Sequence, residues 1–312
     1  VRADLPTGDG LPAVVAVVGA TATGKSDLGV ALALRLGGEV VNADASQLYR
    51  GMDVGTAKLT PVERQGVPHH QLDVLTVREE ASVAAYQASA RADLAAVRAR
   101  RAVPVVVGGS GLYVRALLDR LEIPPTDPSV RAAWEAELAR AGVERLYALL
   151  LERDPVAAAG IEPRNGRRVV RALEVIELTG RPFSATLPTR EHMVPTVTVG
   201  LRADRTVLDA RIAARTEGMW RDGLLDEVRR LEAEGLREGR TASRAVGYAQ
   251  ALRQLDGGLT QEEAVADTVV ATRRLARRQE RWFGPDPRVV WLDHDAPDLV
   301  DLALAVVADG AG

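Results

Sequence analysis

Short apolar runs that end at a glycine or a carboxylate set the frame of the first third of the chain. Ala13-Val14-Val15-Ala16-Val17-Val18 runs into Gly19, and Glu39-Val40-Val41-Asn42-Ala43-Asp44 ends in an acid. Val103-Pro104-Val105-Val106-Val107 runs into Gly108-Gly109-Ser110-Gly111. Runs that stay apolar instead of alternating suit strands covered on both faces, and a proline near a strand's start is tolerated. Between these runs apolar positions recur at helical spacing, over residues 27–36 and again over 82–101, where Val83, Tyr86, Leu94 and Val97 share the period. His69 to Leu75 reads as one more short strand. Strands alternating with helices predict an α/β fold built on a doubly wound parallel sheet.

From residue 119 to about 195 the pattern is helical throughout. Asp127-Pro128 and Asp154-Pro155 each put a capping carboxylate before a proline suited to a first helical position. Val130, Trp134 and Leu138 stripe one helix that Gly142 can close. Val169, Leu173 and Ile176 stripe another, over 167–179, with Gly180 and Pro182 at its end. Strand character returns at 196–201. Helices are predicted at 207–216, 224–235 and 261–282, a last strand at 289–293 and a closing helix at 299–307. This divides the chain into a flexible extension (1–12), the first part of an α/β core (13–120), a helical insertion domain (121–195) and the second part of the core (196–312). No internal repeat is present.

Composition narrows the function classes. With 312 residues and 46% hydrophobic content the chain can bury a substantial core. No apolar run is long enough for a membrane span, and the polar opening residues do not read as a secretory signal. Without cysteine there is neither a disulfide framework nor a thiolate zinc site, which fits a cytoplasmic protein. A net charge of −3 gives no global attraction to nucleic acid, so any such contact must come from local basic patches. Of the 40 basic residues only Lys25 and Lys58 are lysines. Lysine is retained where a compact ammonium fits and a guanidinium fork does not. Lys58 is therefore a second candidate for a functional cation.

Lys25 lies in Gly19-Ala20-Thr21-Ala22-Thr23-Gly24-Lys25-Ser26, a G-x-x-x-x-G-K-S phosphate loop between a predicted strand and a predicted helix. That context lets backbone N–H groups and the helix N-terminus hold phosphate oxygens, while Lys25 adds charge and Ser26 a hydroxyl for Mg²⁺. Ligands of such sheets bind beyond the C-terminal ends of the strands. The loop, Asp44 and Gly108–Gly111 all fall there and should converge. Asp44 is a candidate general base, or a carboxylate capping its own turn. Arg164, Arg167, Arg168 and Arg171 form one basic cluster, with Arg167 and Arg171 expected to face solvent. Arg273, Arg277 and Arg281 form a second at i, i+4, i+8, with Arg274 and Arg278 beside it. Either is a solvated helix face or a phosphate-backbone footprint. His69 and His70 are expected to pack or hydrogen-bond, since neighbours on a strand point to opposite faces and cannot share a metal. Three readings remain open: a small-molecule P-loop kinase, a non-catalytic nucleotide-dependent RNA-binding protein, and an enzyme acting on RNA.

Longer blocks resemble one family, the bacterial tRNA dimethylallyltransferases. The phosphate loop is similar to that family's G-P-T-A-S-G-K-T. The run from Asp44 through Tyr49-Arg50-Gly51-Met52-Asp53 to Gly55-Thr56-Ala57-Lys58 is similar to its D-S-x-Q-x-Y-[RK]-G-M-D-I-G-T-A-K. Val107 to Tyr113 resembles V-G-G-T-x-L-Y, and Arg168 to Val175 resembles R-x-x-R-A-L-E-V. Val246-Gly247-Tyr248 and Thr272 to Gln279 continue the pattern. The resemblance implies transfer of a dimethylallyl group from dimethylallyl diphosphate to N6 of the adenosine 3′ of the anticodon, in tRNAs reading codons that begin with U. It implies Asp44 as base, Lys25 and Arg244 on the leaving diphosphate, and Thr21 to Ser26 with Mg²⁺ as its cradle. Ser110 would lie by the target base. Asp44, Ala45, Ser46, Gln47, Arg167, Arg168, Arg171, Arg273, Arg277 and Arg278 would meet tRNA, with the insertion as an anticodon-stem clamp on a monomer. Ala45 stands where the family has serine, Asn165-Gly166-Arg167 where many members have Asp-x-Gln, and Ala249 where a basic residue is usual.

Overall fold

The computed structural model describes residues 13–186 and 190–310. The stretch 1–12, read as an extension, lies outside them. The chain forms two compact units, one made of the residues up to Leu118 and from Val194 onward, the other of Asp119–Met193.

The first unit begins with β1 (Val14–Gly19), α1 (Lys25–Leu36), β2 (Gly38–Asn42), β3 (His69–His70), α2 (Val83–Ala99), β4 (Val103–Val107) and α3 (Gly111–Leu118). The second contains α4 (Pro128–Ala141), α5 (Val143–Arg153), α6 (Pro155–Ala159) and α7 (Gly166–Thr179). The first unit then resumes with β5 (Thr196–Arg202), α8 (Arg205–Arg221), α9 (Leu224–Ala233), α10 (Tyr248–Leu255), α11 (Gln261–Phe283), β6 (Val289–Asp293) and α12 (Leu299–Asp309).

The strands make one sheet in the order β3-β2-β4-β1-β5-β6, and every pairing is parallel. Register aligns the strand ends: Val107 pairs with both Val17 and Asn42, so β1, β2 and β4 deliver their loops at one level. The unbroken apolar run of β1 follows from burial on both faces. Val15 and Val17 pack in a cluster with Leu28, Leu32, Leu304 and Val307, while Val14, Ala16 and Val18 pack with Tyr86, Leu94, Tyr113 and Leu117. The predicted strand at 69–75 shrinks to His69–His70. Gln71 and Asp73 take left-handed φ values of 58° and 57°, which an extended strand cannot contain. His70 Nε2 meets Glu39 Oε2 at 2.6 Å and His69 Nδ1 meets the Val67 carbonyl at 2.8 Å, so the two rings go separate ways.

In the second unit the two aspartate caps form as read. Asp127 accepts from the N–H groups of Ser129 (2.8 Å) and Val130 (3.1 Å), and Asp154 accepts from that of Ala157 (3.0 Å). Val169, Val170 and Leu173 of α7 pack on Leu146 and Leu150 of α5. Arg171 departs from the solvent-facing placement. It donates to the carbonyls of Pro124 (2.8 Å) and Pro125 (2.9 Å) and to Glu174 (2.9 Å). The cause is Glu174 itself, which lies at 0% exposure one turn along the helix. Its carboxylate also accepts from Arg131, the Thr126 hydroxyl (2.7 Å) and the Asp127 N–H (3.2 Å). Arg167 and Arg168 remain exposed.

Removing one partner of a buried ion pair strands the other charges. Glu174→Ala should therefore cost the fold about 3 kcal/mol, read as a lowered urea midpoint. A loss under about 1 kcal/mol would show that Arg131 and Arg171 find water without penalty.

Candidate active site

The phosphate loop sits where β1 ends and α1 begins, with Gly24 left-handed at the helix start (φ 90°). Within the loop the buried Thr23 hydroxyl and the Lys25 ammonium both donate to the Ala20 carbonyl, at 2.8 and 2.5 Å. Outside support comes from two remote helices. Gln279 of α11, nearly buried, accepts the Thr21 N–H at 2.8 Å. From α8, Arg211 donates to the Ala22 carbonyl at 2.8 Å and Arg215 approaches the Thr21 hydroxyl at 3.4 Å. Thr21 thus spends its N–H on the scaffold. The N–H groups of Ala22, Thr23 and Gly24 carry no partner among the described residues, so the anion-binding part of the loop begins at Ala22.

Asp44, just past β2, is held by a side chain that the sequence reading overlooked. Asn42, 4% exposed, accepts the Asp44 N–H with its Oδ1 (3.1 Å) and donates its Nδ2 to the Asp44 carbonyl (3.1 Å). The same amide is anchored on the Gln71 carbonyl at 2.9 Å. Asp44 Oδ1 accepts the Ser46 N–H at 2.9 Å, so it does cap its own turn. Oδ2 has no hydrogen-bond partner among the described residues. The Ser110 hydroxyl accepts the Ala45 N–H at 3.2 Å, which joins the 44–47 turn to the end of β4. These strand ends converge as expected.

Charges meet at the same place. Enclosure by the loop pushes Lys25 down to about 8; Asp44 opposes that shift and Arg215 adds to it. Burial lowers Arg215 as well, against the pull of Asp44. Burial, then Tyr49 and Asp44, pushes the Tyr113 phenol up to about 12. A lysine, an arginine and a carboxylate thus act on one another next to open loop amides, an arrangement suited to holding a polyanion beside a proton acceptor. Arg215 went unnoticed in the sequence because Arg211 and Arg215, four apart on a helix, look like an ordinary solvated face. Arg244 lies exposed on a short 3-10 turn (Ala242–Arg244), and its guanidinium has no hydrogen-bond partner among the described residues.

Two other expectations are corrected. Lys58 is no free cation. Its ammonium, 2% exposed, donates to the Tyr49 carbonyl (2.8 Å), Asp53 (2.7 Å) and Asp73 (2.6 Å). An ammonium has three N–H bonds, and all are used. Lys58 ties the loop between β2 and β3. Buried Glu227 completes the tie by accepting the N–H groups of Asp53 (3.0 Å), Val54 (2.8 Å) and Gly55 (3.3 Å) and the Tyr248 hydroxyl (2.5 Å). Arg273, expected in a basic stripe, turns onto α8 and donates to the Asp209 carbonyl at 3.2 Å. The exposed basic face of α11 is therefore Arg274, Arg277, Arg278 and Arg281. Among the described residues no His/Asp/Glu cluster could hold a metal by protein ligands alone, and no helix is long and apolar enough to cross a membrane.

A sequence profile of the IPP transferase family matches residues 47–286. The chain belongs to the IPP transferase family. Its relatives include the tRNA dimethylallyltransferases of Kineococcus radiotolerans, 64% identical over 94% of this chain and 95% of that one, and of Thermobifida fusca, 62% identical over 95% and 94%. Among solved structures, the full-length tRNA isopentenylpyrophosphate transferase of Bacillus halodurans superposes with a TM-score of 0.70 at 38% identity, covering 96% of this chain and 97% of that one. A eukaryotic dimethylallyltransferase, determined acting on tRNA, superposes at 0.78 with 26% identity, covering 92% and 74%. The IPP transferase match opens just beyond Asp44 and takes in the Lys58–Glu227 tie, Ser110, Arg215 and all of α11.

The depressed Lys25 has a consequence in solution. An amine near 8 loses its proton as pH rises through that value, whereas an anion bound beside it favours the charged form. Affinity for an organic diphosphate should fall as pH rises above about 8, and binding near pH 8.5 should take up protons. Calorimetry in buffers of different ionisation enthalpy measures both. Affinity that stays flat to pH 9.5, or a Lys25→Met variant with the same profile, would contradict the assignment.

Proposed function

We infer that this chain is a tRNA dimethylallyltransferase, moving the dimethylallyl group of dimethylallyl diphosphate to N6 of the adenosine 3′ of the anticodon in tRNAs reading codons that begin with U. The observation that carries this reading is that Lys25 and Arg215 both feel the charge of Asp44 next to the open amides of residues 22–24, with Ser110 bonded to the 44–47 turn. In the transfer the C1–O bond of the allylic diphosphate breaks and an N6–C1 bond forms. Asp44 takes the proton that N6 loses, and diphosphate leaves with the bonding electrons.

The protein's work is electrostatic and positional. Charge developing on the leaving oxygens is met by Lys25, by Arg215 and by loop N–H groups already in place. Arg244 is a further cation of the leaving group in this reading. A Mg²⁺ ion would neutralise the diphosphate when bound, and the residues suit one. The Ser26 hydroxyl stands at the start of α1 with no hydrogen-bond partner among the described residues, and Mg²⁺ is commonly held by few protein ligands together with substrate phosphates. Adenine must leave the anticodon stack to reach Ser110 and the 44–47 turn, at a cost of a few kcal/mol. Arg167 and Arg168 of the helical unit, and Arg277 and Arg278 of α11, are proposed phosphate contacts of the tRNA. The reading takes the enzyme to act as a monomer in the cytoplasm.

Labelled dimethylallyl diphosphate, Mg²⁺ and unmodified tRNA should yield labelled tRNA, with no ATP turnover in a parallel reaction. Absence of label, together with phosphorylation of a small acceptor, would replace this reading with the kinase. Within it, Asp44→Ala should lower the rate of transfer by roughly 10²–10⁴-fold with tRNA affinity little changed. Arg215→Ala should lower it by about 10²-fold or more. Rates within threefold of the parent enzyme would remove either residue from the mechanism.

A further inference from the structure

Trp282 is 44% exposed, a large aromatic ring at the end of a helix whose neighbouring surface is basic. The other tryptophans are accounted for. Trp220 is buried with its ring N–H on Gln254 (2.8 Å), Trp134 donates to Glu177 (2.8 Å), and Trp291 of β6 packs partly buried against the core. Trp282 instead lies on the glycine turn that follows β4. A Cβ placed on Gly111 would come within 2.1 Å of Trp282 Cδ1, and one on Gly109 within 2.3 Å of Gln279 Nε2. Those glycines are required because α11 presses two large side chains, three residues apart, against the turn. The turn carries Ser110 between them, whose hydroxyl accepts the Ala45 N–H next to Asp44. The exposed ring therefore adjoins the turn proposed to receive the target adenine.

Its surroundings carry the sign that nucleic acid needs. The Arg115 guanidinium stands 6.0 Å from the ring centroid, and Arg278 and Arg281 are exposed on the same helix. The nearest acid along that helix, Glu280, is neutralised by Arg205 at 3.0 Å. An aromatic face set among arginines fits an unstacked nucleobase better than an apolar protein partner, which would have to bury those charges.

We propose that Trp282 is a stacking platform for one unstacked nucleobase of the tRNA anticodon loop, a neighbour of the adenosine that is prenylated. A base extruded for chemistry leaves its neighbours without a stacking partner, and an indole beside the pocket replaces that partner. The platform makes no demand on base identity, because every base has a π-face; its contribution is to hold the loop open with the target base inside. The proposal rests on the tRNA dimethylallyltransferase reading and adds to it the group that holds the opened loop.

The test uses the whole enzyme and an anticodon stem-loop. Trp282→Ala should weaken stem-loop binding about tenfold or more, leave the slope of log affinity against log salt unchanged, and leave affinity for dimethylallyl diphosphate unchanged. Trp282→Phe, which keeps a ring, should regain most of the loss. The stem-loop should quench tryptophan emission of the parent enzyme, and that quench should vanish in Trp282→Phe. Arg278→Ala should behave oppositely, lowering the salt slope by about one. The proposal is overturned if Trp282→Ala binds within twofold of the parent, if the quench persists in Trp282→Phe, or if blunt duplex RNA loses as much affinity as the stem-loop. Loss of diphosphate affinity in Trp282→Ala would mark the ring as a prop for the Ser110 turn and also overturn it. Failure of the parent enzyme to bind the stem-loop at all would instead remove the tRNA reading beneath it.

Discussion

The phosphate loop at the end of β1 is held from outside by side chains far away in sequence, and the remaining chemistry depends on that brace. Gln279 takes the Thr21 N–H, Arg211 takes the Ala22 carbonyl, and Ala20 packs against Leu208, Ile212 and Ala276. A loop fixed in this way presents its open amides without reorganising when charge develops on a bound group. The brace also brings Arg215 close enough to Lys25 for the guanidinium to act on the ammonium. The charge of Asp44 offsets part of their mutual repulsion and burial, and a polyanion relieves both.

The second constraint is the tie beneath the loop between β2 and β3. A run containing Gly51, Gly55 and no regular structure would be mobile on its own. Lys58, Glu227 and Tyr248 convert it into a fixed wall through seven hydrogen bonds or ion pairs to named groups. Asn42 does the same for Asp44 from the strand side. The Asp44 carboxylate is thus placed by a buried amide and a stiffened loop, while its Oδ2 has no hydrogen-bond partner among the described residues.

The strands were legible because burial on both faces leaves a local signature, an apolar run with no alternation. The phosphate loop was legible because glycine, lysine and serine at fixed spacing answer to phosphate geometry. Helices α3 and α10 were missed, being short and adjacent to turns that dominate their local pattern. Side chains that act across the fold left no such trace. Arg215 is one of 38 arginines, Glu227 reads as a surface acid in an amphipathic helix, and Asn42 as an interruption in a strand. Lys58 was noticed for the right reason, its rarity, but a compact ammonium serves equally well to join a backbone carbonyl and two carboxylates. Arg171 and Arg273 were given to solvent by helical periodicity and taken back by Glu174 and Asp209, which periodicity cannot see.

The central claim is that the loop clamps a leaving diphosphate and that the carbon chain is what moves. Dimethylallyl diphosphate carrying a heavy-oxygen label at the bridge between C1 and phosphorus reports which bond breaks. Mass spectrometry of the products after transfer to tRNA should find the label wholly in diphosphate, since C1–O cleavage leaves the bridging oxygen with phosphorus. Label retained on the organic fragment, with phosphate transferred to an acceptor, would mean P–O cleavage and would contradict the account.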